Sequence, residues 1–302
     1  MSDVQRAARL TDPICHSLGI LGLIGGALLG AAVGAFMILT LPASAPLLAA
    51  ALVGAAAAGA VGGGALAGEQ LMHGIQTAFG LPDPVTGMIG IIGSPNVLIG
   101  GLPAVRTVID MAVPCNGLFS THHFPIPSEP PAPIAEGSAT VLINGQHAAR
   151  VTSKIVCGAV IKDGCATVLI GGPTQRVLAV HDFEDTLHNF FADLMKVSLL
   201  AMAGITALAG IGPLLVFGLT VGAFYVANET LGMLGDQLGP GWRDILQGGF
   251  GLGTLFLGAK AAEEPRANPL NYRLETDPNA LGSNFGNARL RFTPLFPAQT
   301  RK

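Results

Sequence analysis

Apolar positions along this chain follow two different rhythms. From Ser17 to Gly68 there is no Asp, Glu, Lys, Arg or His. A membrane-crossing helix needs about 20 apolar residues, and the apolar core of a signal peptide is only about 7–15 long. The run therefore predicts two helices. Their break falls at Pro42-Ala43-Ser44-Ala45-Pro46, where prolines end one helix and permit a tight turn. A second uncharged run, Val197 to Asn228, is interrupted at Gly212-Pro213. A third, Ile245 to Ala259, sets Phe250, Leu252, Leu255 and Phe256 among many glycines and is too short to predict a span.

The other rhythm is a short phrase that recurs. Gly93-Ser94-Pro95-Asn96-Val97-Leu98-Ile99-Gly100-Gly101 continues to Pro103-Ala104-Val105-Arg106. Gly137-Ser138-Ala139-Thr140-Val141-Leu142-Ile143-Asn144-Gly145 continues to His147-Ala148-Ala149-Arg150. Gly164-Cys165-Ala166-Thr167-Val168-Leu169-Ile170-Gly171-Gly172 reaches Pro173 and then keeps only Arg176. Each copy has a β-branched or aliphatic run followed by Gly-Gly or Asn-Gly, the residues that supply the positive φ angles of a two-residue hairpin turn. Three similar hairpins predict a small all-β domain with pseudo-threefold packing. The ending missing from the third copy stands near the other end of the chain, at Ala7-Ala8-Arg9. A distant segment is thus expected to complete that copy.

These rhythms divide the chain into a polar start (1–16), an apolar helical hairpin (17–68), the repeat region (69–178), a second apolar helical region (179–262) and a polar tail (263–302). The composition is half hydrophobic with 12% charged residues, and with a net charge of −3 nothing suggests nucleic acid as a partner. A domain as small as each hairpin suggests buries too little to stand alone, so a staple is expected.

The spacing of polar residues supplies one. Arg9 is followed by Asp12 and His16, Arg150 by Ser153 and Cys157, and Arg106 by Asp110 and, two residues later than in the other copies, Cys115. Equivalent positions of a threefold fold converge near its axis. His16, Cys115 and Cys157 are therefore the expected metal ligands, with a fourth from His122 or His123. Such His/Cys sets suit structural zinc, and thiol ligands imply a reducing compartment during folding. Cys15 and Cys165 fall off the repeat positions and read as packing residues, and His147, inside a hairpin strand, as exposed or packed. Recurrence beside Asp12 and Asp110 suggests that the arginines have structural partners.

Gly22, Gly26, Gly30 and Gly34 share one helix face, and Gly54, Ala58 and Gly62 repeat the spacing in the next helix. Small residues four apart let another helix approach closely. The partner is either the neighbouring helix or another protein. His181, Glu184, Asp185 and His188 would share a face if helical, most simply a solvated one. No nucleophile–base pair, phosphate loop or supported carboxylate pair is evident, and the expectation is a protein that is not an enzyme.

The start of the chain, Ala7-Ala8-Arg9-Leu10-Thr11-Asp12-Pro13-Ile14-Cys15-His16, resembles the prePAAR motif, and the three repeats resemble a PAAR domain. Together they resemble the N-terminal part of type VI secretion effectors of the prePAAR class. The resemblance implies a PAAR-like β-cone, completed by the prePAAR residues Ala7, Ala8, Arg9 and Asp12, with a zinc ligand at His16. It also implies that the cone caps a VgrG trimer, that Eag-type chaperones shield the apolar helices in the producing cell's cytoplasm, and that those helices enter the recipient's inner membrane to deliver a toxin. Gly22 to Gly34 is the expected chaperone stripe. Family metal sites commonly use more histidine, and Cys157 stands where a histidine often sits. No toxin domain is evident before Lys302, so the chain reads as part of a longer effector or as one whose toxin is a separate piece. The competing reading is a membrane-embedded pore-forming toxin with a small zinc-stapled β-domain.

Overall fold

The computed structural model describes residues 4–41, 45–115, 131–263, 272–275 and 291–294. It divides into two units, Met1–Ile20 with Gly80–Asn189, and Leu21–Phe79 with Phe190–Lys302. In chain order, β1 (Gln5–Ala7) and β2 (Pro13–Cys15) precede the helices α1 (Gly19–Leu39) and α2 (Leu47–Phe79). The repeat region contributes β3 (Val85–Ile91), β4 (Leu98–Ile99), β5 (Leu102–Pro103), β6 (Met111–Cys115), β7 (Ala132–Pro133) and β8 (Glu136–Ser138). It continues with β9 (Leu142–Ile143), β10 (Gln146–His147), β11 (Val160–Ile161), β12 (Cys165–Ile170) and β13 (Thr174–Arg176). The helices α3 (Phe183–Ala209), α4 (Ile211–Leu238) and α5 (Trp242–Glu263) follow, then the paired strands β14 (Tyr272–Glu275) and β15 (Arg291–Pro294).

The first unit is the β-cone that the repeats predict. Two copies close locally, β4 on β5 and β9 on β10. Their turns, Gly100-Gly101 and Asn144-Gly145, have positive φ at both central residues, the twist that matches right-handed strands. The third copy closes at a distance. Strand β12 runs antiparallel to β1, with Gln5 opposite Ile170, Arg6 opposite Leu169 and Ala7 opposite Cys165. Strand β13 instead turns away to pair with β8, and its Arg176 bonds Glu136 at 2.7 Å. Arg176 is therefore no counterpart of Arg106 and Arg150; Arg9 is.

The three endings meet in a closed ring. Arg9 bridges Ala104, Arg106 bridges Ala148, and Arg150 bridges Ala7. Between them, the Ala8 amide donates to the Ala149 carbonyl (3.1 Å), Ala149 to Val105 (2.9 Å), and Val105 to Ala8 (3.2 Å). All three residues are fully buried, where an unmade amide bond is costly. One core cluster gathers Ala8, Val105 and Ala149 with Ile14, Ile89, Ile134, Ile155, Cys115 and Cys157. The other gathers the preceding residues Ala7, Ala104 and Ala148 with Ile99, Ile143, Ile170 and Cys165.

Each ring arginine is held by its own side chain. Arg106 grips Asp110 through Nε and Nη2 at 3.0 and 2.9 Å, and its amide donates to the same carboxylate at 2.7 Å. Arg9 repeats this with Asp12 at 2.7 Å from its amide and 2.9 Å from Nη2. Hydrogen bonding to the carboxylates raises both guanidinium pKa values. In the third place Ser153 accepts the Arg150 amide at 3.2 Å, and the guanidinium donates to the Gly172 carbonyl and to Thr174 Oγ1 at 2.8 and 2.9 Å.

In the second unit, α1 and α2 pack glycine on glycine. A Cβ at Gly22, Gly26 or Gly30 would collide with the carbonyl oxygen of Gly68, Gly64 or Ala60 respectively. The Gly22–Gly34 stripe is thus occupied by α2. Helix α5 lies along α2, with Gly248 against Ala67 and Leu71. Helix α2 runs past the apolar run because its polar last turns have partners: Gln70 donates to Gln247 at 2.9 Å, and His73 meets Asp244 at 2.9 Å. The break between α3 and α4 lies at Gly210 (φ 120) rather than at Gly212-Pro213. Pro213 sits in the first turn of α4, where no intrahelical partner for its missing N–H is needed. Among the described residues, four helices, α1 to α4, are long and apolar enough to cross a membrane.

Two outcomes are expected. The Ala8, Val105 and Ala149 amides should exchange hydrogen only through global opening of the cone. Asp110→Ala, which strands a guanidinium only 5% exposed, should cost about 3–5 kcal/mol and speed all three amides together in native-state exchange. Asp12→Ala, beside a guanidinium 22% exposed, should cost less. For the helices, a Gly34→Cys/Ala57→Cys pair should oxidise once the helices part by a few tenths of an ångström, since a Cβ at Gly34 would lie 3.1 Å from that of Ala57, just short of the roughly 3.5–4.5 Å of a disulfide. Adding Gly26→Leu should abolish that crosslink on a non-reducing gel.

Candidate metal centre

Three side chains from the three repeat-equivalent positions meet inside the cone. Strand β2 ends at Cys15, which places His16 just beyond it; Cys115 ends β6, and Cys157 precedes β11. Strand β3 brings β2 and β6 together, pairing with both, while β11 pairs with the other edge of β2. The Cys115 and Cys157 sulfurs are 3.1 Å apart, and His16 Nε2 lies 3.7 Å from Cys115 Sγ. All three donor atoms fall within 4.8 Å of one another. A disulfide would need about 2.05 Å, and the four cysteines are free thiols. Donors on one small tetrahedral ion stand about 3.5–3.8 Å apart, given metal–sulfur and metal–nitrogen lengths near 2.3 and 2.0 Å. The cluster matches that spacing closely enough to hold a metal ion.

The surroundings prepare the donors. His16 Nδ1 lies 2.8 Å from Thr86 Oγ1. With Nδ1 protonated and donating to that hydroxyl, the Nε2 lone pair faces the thiols, the arrangement that orients most metal-bound histidines. The thiol of Cys157 is pushed far above its ordinary pKa by its hydrogen bond with Cys115 and by burial. The Cys157 thiol thus stays protonated without a cation, and a bound cation reverses that preference.

Thr86 was invisible to the spacing argument, because it precedes the first repeat and no copy of it recurs. His122 and His123 lie outside the described residues. Cys15 and Cys165 are buried apart from the cluster; burial pushes the Cys15 thiol up to about 11, whereas hydrogen bonds from Thr167 lower that of Cys165. His147 Nδ1 is held 2.7 Å from the Ser138 carbonyl. The helical face at the start of α3 is taken up by structural bonds: Asp185 lies 3.4 Å from Lys154, and Glu184 accepts from Ser17. Among the described residues, only His16, Cys115 and Cys157 have a metal-holding arrangement.

Comparison with known proteins places these features. Residues 82–163 match the PAAR motif. The chain is 43% identical over 264 residues to the NAD(P)(+) glycohydrolase toxin Tse6 of Pseudomonas aeruginosa PAO1, covering 86% of this chain and 58% of that protein. It is 42% identical over 247 residues to the (p)ppApp synthetase toxin Tas1 of P. aeruginosa UCBPP-PA14, covering 80% of this chain and 52% of the relative. It is 34% identical over 185 residues to the double-stranded DNA deaminase toxin A of Burkholderia cenocepacia H111, covering 59% of this chain and 11% of the relative. The chain therefore spans little more than half the length of the first two relatives. The expectation of a protein that is not an enzyme is overturned by these names, each of which is that of an enzymatic toxin.

Elemental analysis of the purified chain should find about one metal ion per molecule, lost in His16→Ala and in Cys115→Ala. Thr86→Ala should keep the stoichiometry but weaken affinity about 10–100-fold in a chelator competition. Stability should also depend on pH in a defined direction. The Cys15 thiol moves from 9.0 to about 11 on folding, so the folded state holds that proton more tightly. Its contribution is complete below about pH 9 and is lost as pH rises through about 11, measurable as a falling denaturation midpoint. With its motif matched over residues 82–163 and its third repeat closed from the far end of the sequence, the chain is the PAAR-bearing region of a type VI secretion effector.

Proposed function

We propose that this region is the delivery part of an enzymatic toxin. Its cone caps a VgrG trimer at the tip of the secretion spike, and its helices carry the toxin into the recipient's inner membrane. The observation that carries this reading is the closed ring of three equivalent endings. A single chain meets all subunits of a threefold-symmetric partner alike by presenting the same element three times, and this chain does so by completing its third copy from residues 5–9. The relatives add a second support. They share this region but are named for three different reactions. The shared part therefore serves what such toxins have in common, and the reaction belongs to what they do not share.

The metal is zinc in this reading, because two thiolates and an imidazole suit it better than harder ions. His122 or His123 completes the set, and the site is structural, so that binding contributes directly to folding. Helices α1 to α4 expose many large apolar side chains. In the producing cell's cytoplasm an Eag-type chaperone covers them, competing with α2 for the Gly22–Gly34 stripe.

Co-expression with the cognate chaperone and VgrG should give a soluble ternary complex containing about one zinc per chain. A chain that stays insoluble with the chaperone, or toxin export that survives deletion of residues 85–178, would sink the proposal. The four long apolar helices favour one other reading, a pore. Growth arrest on directing this chain alone to the periplasm would support it.

A further inference from the structure

The hairpins carry a feature that neither the metal centre nor the ring explains. In each copy the valine is half-buried, the leucine exposed and the isoleucine buried: Val97-Leu98-Ile99, Val141-Leu142-Ile143 and Val168-Leu169-Ile170. The inward isoleucines are accounted for, since all three join the core cluster of Ala7, Ala104 and Ala148. The outward leucines are not. Leu98, Leu142 and Leu169 are exposed by 63%, 57% and 60%. Apolar residues scattered singly over a surface need no explanation. Three of one type, on one position of a threefold repeat and with nearly equal exposure, are not scattered. The copies differ at neighbouring positions, for example Pro95, Ala139 and Ala166 or Asn96, Thr140 and Thr167, yet each retains leucine here.

Charge narrows the partner. The segments 93–105, 137–149 and 164–175 contain no Asp, Glu, Lys or Arg. Their isoleucines belong to a different core cluster from the one that holds Cys115 and Cys157. A largely uncharged surface with three equivalent leucines, flanked at Leu169 by the Arg6–Asp163 ion pair, fits an apolar surface that itself repeats three times. It fits poorly an anionic membrane surface or a charged peptide, which would call for cations.

We propose that Leu98, Leu142 and Leu169 are the three equivalent contacts by which the cone seats on the end of a homotrimer, one leucine for each subunit. This rests on the spike-cap reading above and names the residues that perform it. Burying one such side chain changes affinity by about tenfold or more. Because the contacts are equivalent, the three single substitutions should act alike. Because they carry no charge, binding should change little with ionic strength.

The test uses the full chain in its soluble chaperone complex, titrated against purified VgrG trimer by biolayer interferometry. Leu98→Ser, Leu142→Ser and Leu169→Ser should each weaken binding about tenfold or more, to within a few-fold of one another, and the triple variant should not bind. Unchanged metal content and unchanged protection of the Ala8, Val105 and Ala149 amides would show that the variants remain folded; where the triple variant unfolds, the three singles decide. Wild-type binding with an undiminished triple variant, or a loss confined to one leucine, would overturn the proposal and leave the cap reading standing. A wild-type chain that does not bind the trimer would overturn both.

Discussion

Three backbone hydrogen bonds, from Ala8 to Ala149, from Ala149 to Val105 and from Val105 back to Ala8, hold the rest of the cone in register. Each joins a different pair of repeats, so removing any repeat opens the ring. The residues are small and fully buried, which lets three chain segments converge where bulkier side chains would keep them apart. Everything with chemical potential is placed relative to this ring. The arginines that flank it are fixed by Asp12, Asp110 and Ser153. A few residues further along each segment, His16, Cys115 and Cys157 come together.

The ring also explains how the protein combines a small β-domain with so much apolar helix. Helices α1 and α2 are inserted between β2 and β3, which are neighbours in one sheet. The insertion thus leaves and returns at adjacent strands, and the cone need not distort to accommodate it. Within the helical unit the same economy of side-chain volume recurs, with glycine and alanine setting α1 against α2 and α2 against α5. In both units small residues permit close backbone approach, which in the cone is joined by the isoleucines of its core.

The repeat made much of this legible in advance. Where a residue recurred at the same or nearly the same distance from an Ala-x-Arg ending, equivalence in sequence became equivalence in space, and that is how His16 and Cys157, and Cys115 two residues later in its copy, could be grouped. What did not recur was hidden. Thr86 orients His16 but has no counterpart in the other copies. The five-stranded sheet of β11, β2, β3, β6 and β7 is built of short, irregular strands whose partners are set by the ring, not by any periodicity of their own. Arg176 looked like a remnant of the repeat but answers Glu136. The end of α2 was obscured because its polar residues are satisfied by α5, a contact that charge patterning alone cannot reveal.

Closing the third repeat from the front of the chain has a consequence for biosynthesis. Residues 5–15 leave the ribosome before the rest of the cone, yet their partners β11 and β12 are among its late elements, followed there by β13 alone among the described strands; Cys15 and Val160, for instance, are 145 residues apart. Contacts so distant in sequence form slowly, because the loop must be closed before it is rewarded. Helices α1 and α2 therefore emerge while the cone is still open, and the apolar hairpin exists for a time on an unfinished scaffold. In the proposed delivery reading, a chaperone for this hairpin would meet it on the growing polypeptide, before the cone has closed.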